Sequence, residues 1–203
     1  MEVSLAGRAR RRKGSPESIP TGERRAGSLL GMSSRSVVLV GPMGSGKSTV
    51  GRALAARVGL DHVDTDDLVV AAAGCPITEI FARDGERRFR ELETEALVSA
   101  LTTPSVVSTG GGIVVDDVNR AHLRTADAFV VWLDGSLDAL AARVGSGRGR
   151  PLLEGDVRGA LKEKIAERGP GYLEVADVRV DTTHMRHVDC VDAIVAAMEG
   201  ATA

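Results

Sequence analysis

Aromatic residues are almost missing from this chain. Its 203 residues include three Phe, one Trp and one Tyr, 2% in all. A protein that stacks nucleobases on aromatic platforms needs more, so the composition argues against a single-strand nucleic-acid binder. Cysteine is equally scarce. Cys75 and Cys190 form neither a Cys-x-x-Cys pair nor a zinc-type spacing, and two residues make no disulfide framework. They read as the reduced thiols of a cytosolic protein. No apolar run approaches the ~18 residues that suggest a membrane span. His62, His122, His184 and His187 pair with no cysteine or second histidine at convincing ligand spacing, and read as structural or exposed.

The net charge is only −2, yet its distribution is uneven: residues 1–31 carry seven Arg/Lys against three Glu, leaving the remainder at −6. The larger part is acidic and offers no basic stripe for a phosphate backbone. Residues 1–34 are rich in Arg, Gly, Ser and Pro without any period, and read as a disordered basic extension. Arg24-Arg25 is followed by Ala-Gly-Ser-Leu-Leu-Gly, too short for the apolar core of a signal peptide. Met32 is the expected physiological start, because the first strand begins just after it. The length suits one sizeable core and not two ordinary domains, so residues 35–203 are expected to form one domain.

What the chain has in excess is glycine, 24 residues against a usual ~7%. The glycines interrupt an alternation of short apolar runs and helical patterns. Strands are expected at 36–40, 60–63, 105–108, 128–133 and 178–180, and helices at 47–58, 68–73, 77–82, 86–101, 116–125, 136–143, 156–168 and 188–198. Strands that are apolar throughout and alternate with helices imply an α/β fold, a parallel sheet covered on both faces. Ligands of such sheets bind at the carboxyl ends of the strands. The unusual loops 41–48, 64–67 and 110–112 all follow strands and should meet at one edge.

The segment Gly41-Pro-Met-Gly44-Ser45-Gly46-Lys47-Ser48 fits G-x-x-x-x-G-K-[ST] between a strand and a helix. Its glycines let backbone N–H groups curl around phosphate oxygens, and the helix N-terminus adds partial positive charge. Lys47 brings a point charge to the β- and γ-phosphates, and the Ser48 hydroxyl is a magnesium ligand. No Asn-Lys-x-Asp segment for reading guanine is present. Asp64 and Asp66 follow, two apart at a strand end. On extended backbone both side chains would point the same way, one toward a magnesium shell and one toward an acceptor hydroxyl. The competing interpretation makes Asp66 or Asp67 a helix N-cap. Further on, Arg90 and Glu93 are spaced to pair along a helix, and Glu86–Arg90 and Arg87–Glu91 would make an ordinary surface ladder. Arg168 stands where a predicted helix ends, a position that also favours a cation through the helix dipole. The Gly145-Ser-Gly-Arg148-Gly-Arg150 stretch is either an exposed turn or a mobile lid carrying cations.

Taken together, these motifs resemble the shikimate kinase family, small P-loop kinases related to the nucleoside-monophosphate kinases. The match runs from about Ser36 to the end. It rests on Gly41-x-x-Gly-Ser-Gly-Lys-Ser-Thr49, Asp64-Thr-Asp66, Ile80-Phe81-x-x-x-Gly85-Glu86-x-x-Phe89-Arg90-x-x-Glu93, Gly110-Gly111-Gly112, Arg150-Pro151-Leu152-Leu153 and Arg168-x-Pro170-x-Tyr172-x-x-Val175-Ala176. The resemblance implies a three-layer sandwich with a central five-stranded parallel sheet, an acceptor-binding segment over about 64–93 and a lid over about 144–156. It implies transfer of the γ-phosphoryl group of ATP, with Mg²⁺, to the 3-hydroxyl of shikimate in the pathway to chorismate and the aromatic amino acids. It assigns Asp66 as the candidate base and Ser48 and Asp64 to the magnesium site. Arg90 and Arg168 would grip the shikimate carboxylate, and Gly110, Gly111 and Gly112 would line the acceptor site. Gly44 through Thr49 would hold the nucleotide phosphates, which Arg150 also reaches from the lid, and Arg143 would lie at the adenine end. A cytoplasmic enzyme of one subunit, with no nucleic-acid or membrane partner, is expected.

The alternatives are another small acceptor, such as gluconate or a nucleoside monophosphate, or a non-catalytic ATP-dependent switch. The last would call for loss of Asp66 or Arg168, and both are present. Two departures from the family pattern stand out. Gly171 replaces the usual leucine between Pro170 and Tyr172, and the 181–186 loop lacks the residues expected for adenine contacts. Phe81, Phe89 and Tyr172, three of the five aromatics, are expected to border the acceptor pocket.

Overall fold

The structure is a computed structural model and describes residues 3–5, 35–145 and 156–202. Six strands are found among these residues: β1 (Val3–Leu5), β2 (Ser36–Val40), β3 (Asp61–Asp64), β4 (Ser105–Ser108), β5 (Ala128–Asp134) and β6 (Val178–Asp181). The helices are α1 (Lys47–Val58), α2 (Thr65–Ala73), α3 (Ile77–Ala100), α4 (Asp117–Thr125), α5 (Leu137–Val144), α6 (Val157–Val175) and α7 (His187–Thr202). The sheet order is β1-β6-β5-β2-β4-β3. Strands β2 to β6 are mutually parallel, while β1 runs antiparallel along β6, with Val3 opposite Val180 and Leu5 opposite Val178. The five parallel strands are those expected from the sequence. The antiparallel strand is not: it falls in a stretch expected to be unordered. An edge strand leaves a row of unpaired N–H and C=O groups, and Val-Ser-Leu satisfies part of that row.

The all-apolar strands are explained by burial on both faces. Along β2, Val37 and Leu39 enter one cluster with Val50, Leu54 and Val58 of α1 and Ile194 of α7. Val38 and Val40 enter the opposite cluster with Leu97, Leu123, Trp132, Tyr172 and Val175. Strand β5 divides in the same way, Phe129 and Val131 to the first layer and Val130 and Trp132 to the second, as the two-residue period of a strand requires. A smaller cluster of Val69, Ile80, Phe89 and Leu92 joins α2 to α3.

Three boundaries differ from the expectations, each for a local reason. The helices expected at 77–82 and 86–101 follow one another directly as α3, with Gly85 at φ 79° and ψ 174° as the break between them. Only a residue without Cβ adopts that conformation readily. Helix α6 does not stop near 168 but passes through Pro170 to Val175. The proline forfeits one backbone hydrogen bond, and burial of Tyr172 and Val175 beyond it carries the helix on. Strand β3 extends to Asp64, and α2 begins at once at Thr65.

Because β2 to β6 are parallel, the segments after them emerge at one edge: the 41–46 loop, the start of α2, the 109–116 turn, α5 and the 182–186 turn.

Candidate active site

The phosphate loop joins the central strand β2 to α1. Its backbone packs so closely that a Cβ on Gly41 would lie 2.1 Å from the Leu133 carbonyl oxygen, and one on Gly44 would lie 2.6 Å from that of Leu140. Gly46 precedes α1 with no side-chain cap and no acidic residue in the first turn, so the helix's positive end is not neutralised by the chain itself. Lys47 Nζ donates to the carbonyls of Gly41 (2.8 Å) and Pro42 (3.0 Å), spanning the loop. Ser45 is buried within the loop, while Gly44, Gly46, Lys47, Ser48 and Thr49 face the cleft.

Ser48 and Asp64 meet directly: the Ser48 hydroxyl donates to Asp64 Oδ2 at 2.7 Å. The other Asp64 oxygen accepts from the Asp66 N–H at 3.1 Å. Asp64, and neither Asp66 nor Asp67, is therefore the N-cap of α2. Asp66 lies in the first helical turn and not on extended backbone, which corrects the expected geometry of the pair. The cap leaves the Asp66 carboxylate to the cleft. Among the described residues no cluster of three or more His, Cys, Asp or Glu suits a metal ion. A hydroxyl and a carboxylate, both hard oxygen donors, fit a magnesium ion that keeps waters and takes its remaining ligands from phosphates.

The opposite wall comes from the second half of α3, the 109–112 turn and α6. Thr65 Oγ1 accepts from the Gly110 N–H at 3.1 Å, tying β4's exit to the start of α2. A Cβ on Gly110 would lie 2.7 Å from Glu93 Oε1 and 3.0 Å from Asp66 Oδ1. Arg90 Nη1 donates to Glu93 Oε2 at 2.7 Å, and Nη2 donates to Glu86 at 2.9 Å. The Arg90 guanidinium crowds Gly112, where a Cβ would meet Nη1 at 2.3 Å, and lies 5.2 Å from the Phe89 ring centre. Glu93 is 1% exposed with Oε1 unpartnered. Its burial pushes the carboxyl above the usual glutamate range, and Arg90 opposes that shift. Arg168 Nη1 donates to the Gly111 carbonyl at 3.1 Å. The helix-end account of Arg168 falls, since α6 continues seven residues past it to Val175.

These groups surround one cleft of about 720 Å³. The phosphate loop, Asp64, Asp66, Arg90, Glu93, Gly110, Gly111, Gly112, Arg143 and Arg168 all line it, beside apolar Ile77, Phe81 and Phe89. Arg143 is fixed at the far end by hydrogen bonds to the Thr182 carbonyl (2.6 Å), Thr182 Oγ1 (2.9 Å) and the Thr183 carbonyl (3.2 Å). Arg150 and most of the expected lid lie outside the described residues, as do Met32 and most of the basic extension.

Two assignments change. Tyr172 does not border the cleft: it is 1% exposed behind the glycine turn, with its hydroxyl on the Gly111 carbonyl. Glu93 proves to be a cleft carboxylate as well as the partner of Arg90. Its position four residues after Phe89 and one after Leu92, on the apolar stripe of the helix, was the signal for burial. His62 is also engaged, with Nε2 2.9 Å from Ser108 Oγ.

The family model described as Shikimate kinase matches residues 43–199. A shikimate kinase of Xanthomonas campestris pv. campestris is 45% identical over 151 residues, 73% of this chain and 83% of that protein. Among solved structures, the shikimate kinase of Acinetobacter baumannii in complex with shikimate superposes with a TM-score of 0.81 at 31% identity, covering 86% of this chain and 98% of that one. The Aquifex aeolicus shikimate kinase gives 0.72 at 30% identity, covering 82% and 98%.

Proposed function

The chain belongs to the shikimate kinase family, and on that premise we propose that its cleft transfers the γ-phosphoryl group of ATP to the 3-hydroxyl of shikimate, a step toward chorismate and the aromatic amino acids. The observation that carries this is the meeting of two kinds of group in one cleft. A phosphate loop with a Ser48–Asp64 oxygen pair stands at one side, and two arginines with a glycine turn stand at the other.

Each residue then has a physical task. Gly44 to Thr49 offer backbone N–H groups and the Ser48 hydroxyl to the nucleotide phosphates, and Lys47 exchanges its loop carbonyls for phosphate oxygens. Ser48 and Asp64 hold the magnesium ion. Bound there, the ion would supply positive charge to offset the negative charge of the nucleotide phosphates. Asp66 accepts from the acceptor hydroxyl and orients it toward the phosphorus. Arg90 and Arg168 grip the shikimate carboxylate through planar donor pairs that lysine could not supply, while Gly110 to Gly112 let the ring approach backbone. Arg143, held on the Thr182–Thr183 turn, bounds the adenine end. Arg150, in a lid over about 144–156, brings a further cation to the phosphates and helps exclude water. The acceptor segment is 64–93 within a domain of residues 35–203, and the chain works as a cytoplasmic single subunit on small molecules alone.

The test is ADP release with ATP and Mg²⁺ against a panel of shikimate, gluconate and nucleoside monophosphates. Shikimate should give ADP and a phosphorylated product in equal amounts. Turnover no faster than ATP hydrolysis without acceptor, or preference for another acceptor, would reject the proposal.

A further inference from the structure

The turn Gly110-Gly111-Gly112 owes its shape to a few fixed hydrogen bonds. The Gly110 N–H is held by Thr65, and the carbonyls of Gly110 and Gly112 accept from the N–H groups of Ile113 (3.2 Å) and Val115 (2.9 Å). The Gly111 carbonyl accepts from two donors on one helix, Arg168 Nη1 and the Tyr172 hydroxyl. Within this three-glycine turn, the N–H groups of Gly111 and Gly112 have no hydrogen-bond partner among the described residues.

We infer that Tyr172 is a positioning residue for the acceptor site: its hydroxyl fixes the Gly111–Gly112 peptide so that the Gly112 N–H is presented to the acceptor. In a trans peptide the C=O and N–H point in opposite directions. Donors from α6 that draw the Gly111 oxygen toward that helix therefore turn the Gly112 N–H away from it, while Arg90 stands against the same residue, where a Cβ would crowd its guanidinium.

Two donors on one carbonyl matter because one of them has another task. The inference rests on the shikimate assignment, in which Arg168 turns its guanidinium to the acceptor carboxylate. A buried carbonyl left without a donor is costly, so the peptide would be free to turn over unless a second donor stayed. Tyr172 is suited to stay. Its ring is fully buried and stacks on Trp132 at 5.7 Å between centres. Burial also pushes its phenol far above the ordinary range, so the hydroxyl keeps its proton.

The unexpected Gly171 fits the same arrangement. A Cβ there would lie 3.0 Å from Val114 Cβ and 3.1 Å from the Val114 carbonyl oxygen. Glycine thus allows α6 to approach the end of the turn closely, which brings the neighbouring Tyr172 hydroxyl to the Gly111 oxygen.

Tyr172→Phe removes the hydroxyl and keeps the stacking ring. Shikimate KM should rise ~10-fold, the scale of one lost hydrogen bond, while ATP KM stays within about twofold and the melting transition remains cooperative. A binding titration with shikimate alone, read from the fluorescence of the single tryptophan, should weaken to match. In the Arg168→Lys background the same substitution should cost a different factor, because both donors share one carbonyl. Unchanged shikimate KM, equal loss for shikimate and ATP, or strict additivity would overturn the inference. The wild-type enzyme run beside it separates the two claims, since normal wild-type turnover leaves the shikimate assignment standing when the inference fails. Should the variant not fold, the single tyrosine of the wild type still decides. In the native protein with shikimate bound it should not ionise near the ordinary phenol pKa of ~10, and ionisation there would overturn the inference.

Discussion

Asp66 is held by its backbone, with its N–H fixed on the Asp64 carboxylate and its own carboxylate turned to the cleft. Asp66→Asn keeps this frame and removes the proton acceptor. kcat should fall ~10²-fold or more, the usual scale for a lost acid–base group, with shikimate KM little changed; a loss confined to KM would reject the role. Such residues are legible in sequence because their chemistry dictates type and spacing together, as in Gly46-Lys47-Ser48. The buried role of Glu93 is not legible in that way. Arg and Glu three apart on a helix read as a solvated pair; the place of Glu93 on the apolar stripe points the other way, and the packing of Gly110 against its carboxylate shows that it is buried. The Asp64 cap was obscured similarly, since a strand that ends where a helix starts leaves no loop between them to signal the change.

At the scale of elements, a small polar contact adds to the apolar packing and the Ser48–Asp64 bond that join α1 to the sheet beneath it. Ser108 Oγ donates to the Lys47 carbonyl at 3.1 Å and receives His62 Nε2 at 2.9 Å. Gly51 makes room, since a Cβ there would lie 2.5 Å from Ser108 Oγ and 2.8 Å from His62 Nε2. With the hydroxyl proton directed to Lys47, His62 must donate from Nε2, a tautomer that suits the neutral ring. Burial lowers the His62 pKa below its ordinary 6.5. The folded protein therefore binds this proton less readily than the unfolded chain, and the stability it contributes is full above about pH 6.5 and declines as pH falls toward the lowered value. Replacing His62 with phenylalanine should remove that part of the decline in denaturant melts between pH 7 and 5. A wild-type-minus-variant difference that stays flat or runs the other way would contradict the assignment. Periodicity revealed most elements, but it could not show that α6 passes through Pro170, because burial beyond the proline decides that.

For the whole molecule, the parallel order could be inferred because strands buried on both faces leave the polar residues to helices and loops. The strand at Val3–Leu5 could not, since three residues have no period and pair only because β6 offers an edge. That strand and β3, which carries Asp64, stand at opposite ends of the sheet. A protein starting at Met32 should therefore keep kcat and both KM values within about twofold. A tenfold loss on removing residues 1–31 would show that the extension serves catalysis.

The central position of β2 has a consequence during synthesis. Its neighbours are β4 and β5, and β5 ends at Asp134, well after β2 ends at Val40. At ~5–20 residues per second, a ribosome needs roughly 5–20 s to cover that interval. The strand that supports the phosphate loop has neither flank until β4 ends at Ser108, and it lacks β5 for the whole interval. The nucleotide site is therefore among the first parts of the domain to be translated and among the last to be assembled, and the nascent Ser-Val-Val-Leu-Val segment depends on chaperones or speed to avoid partners outside its own chain.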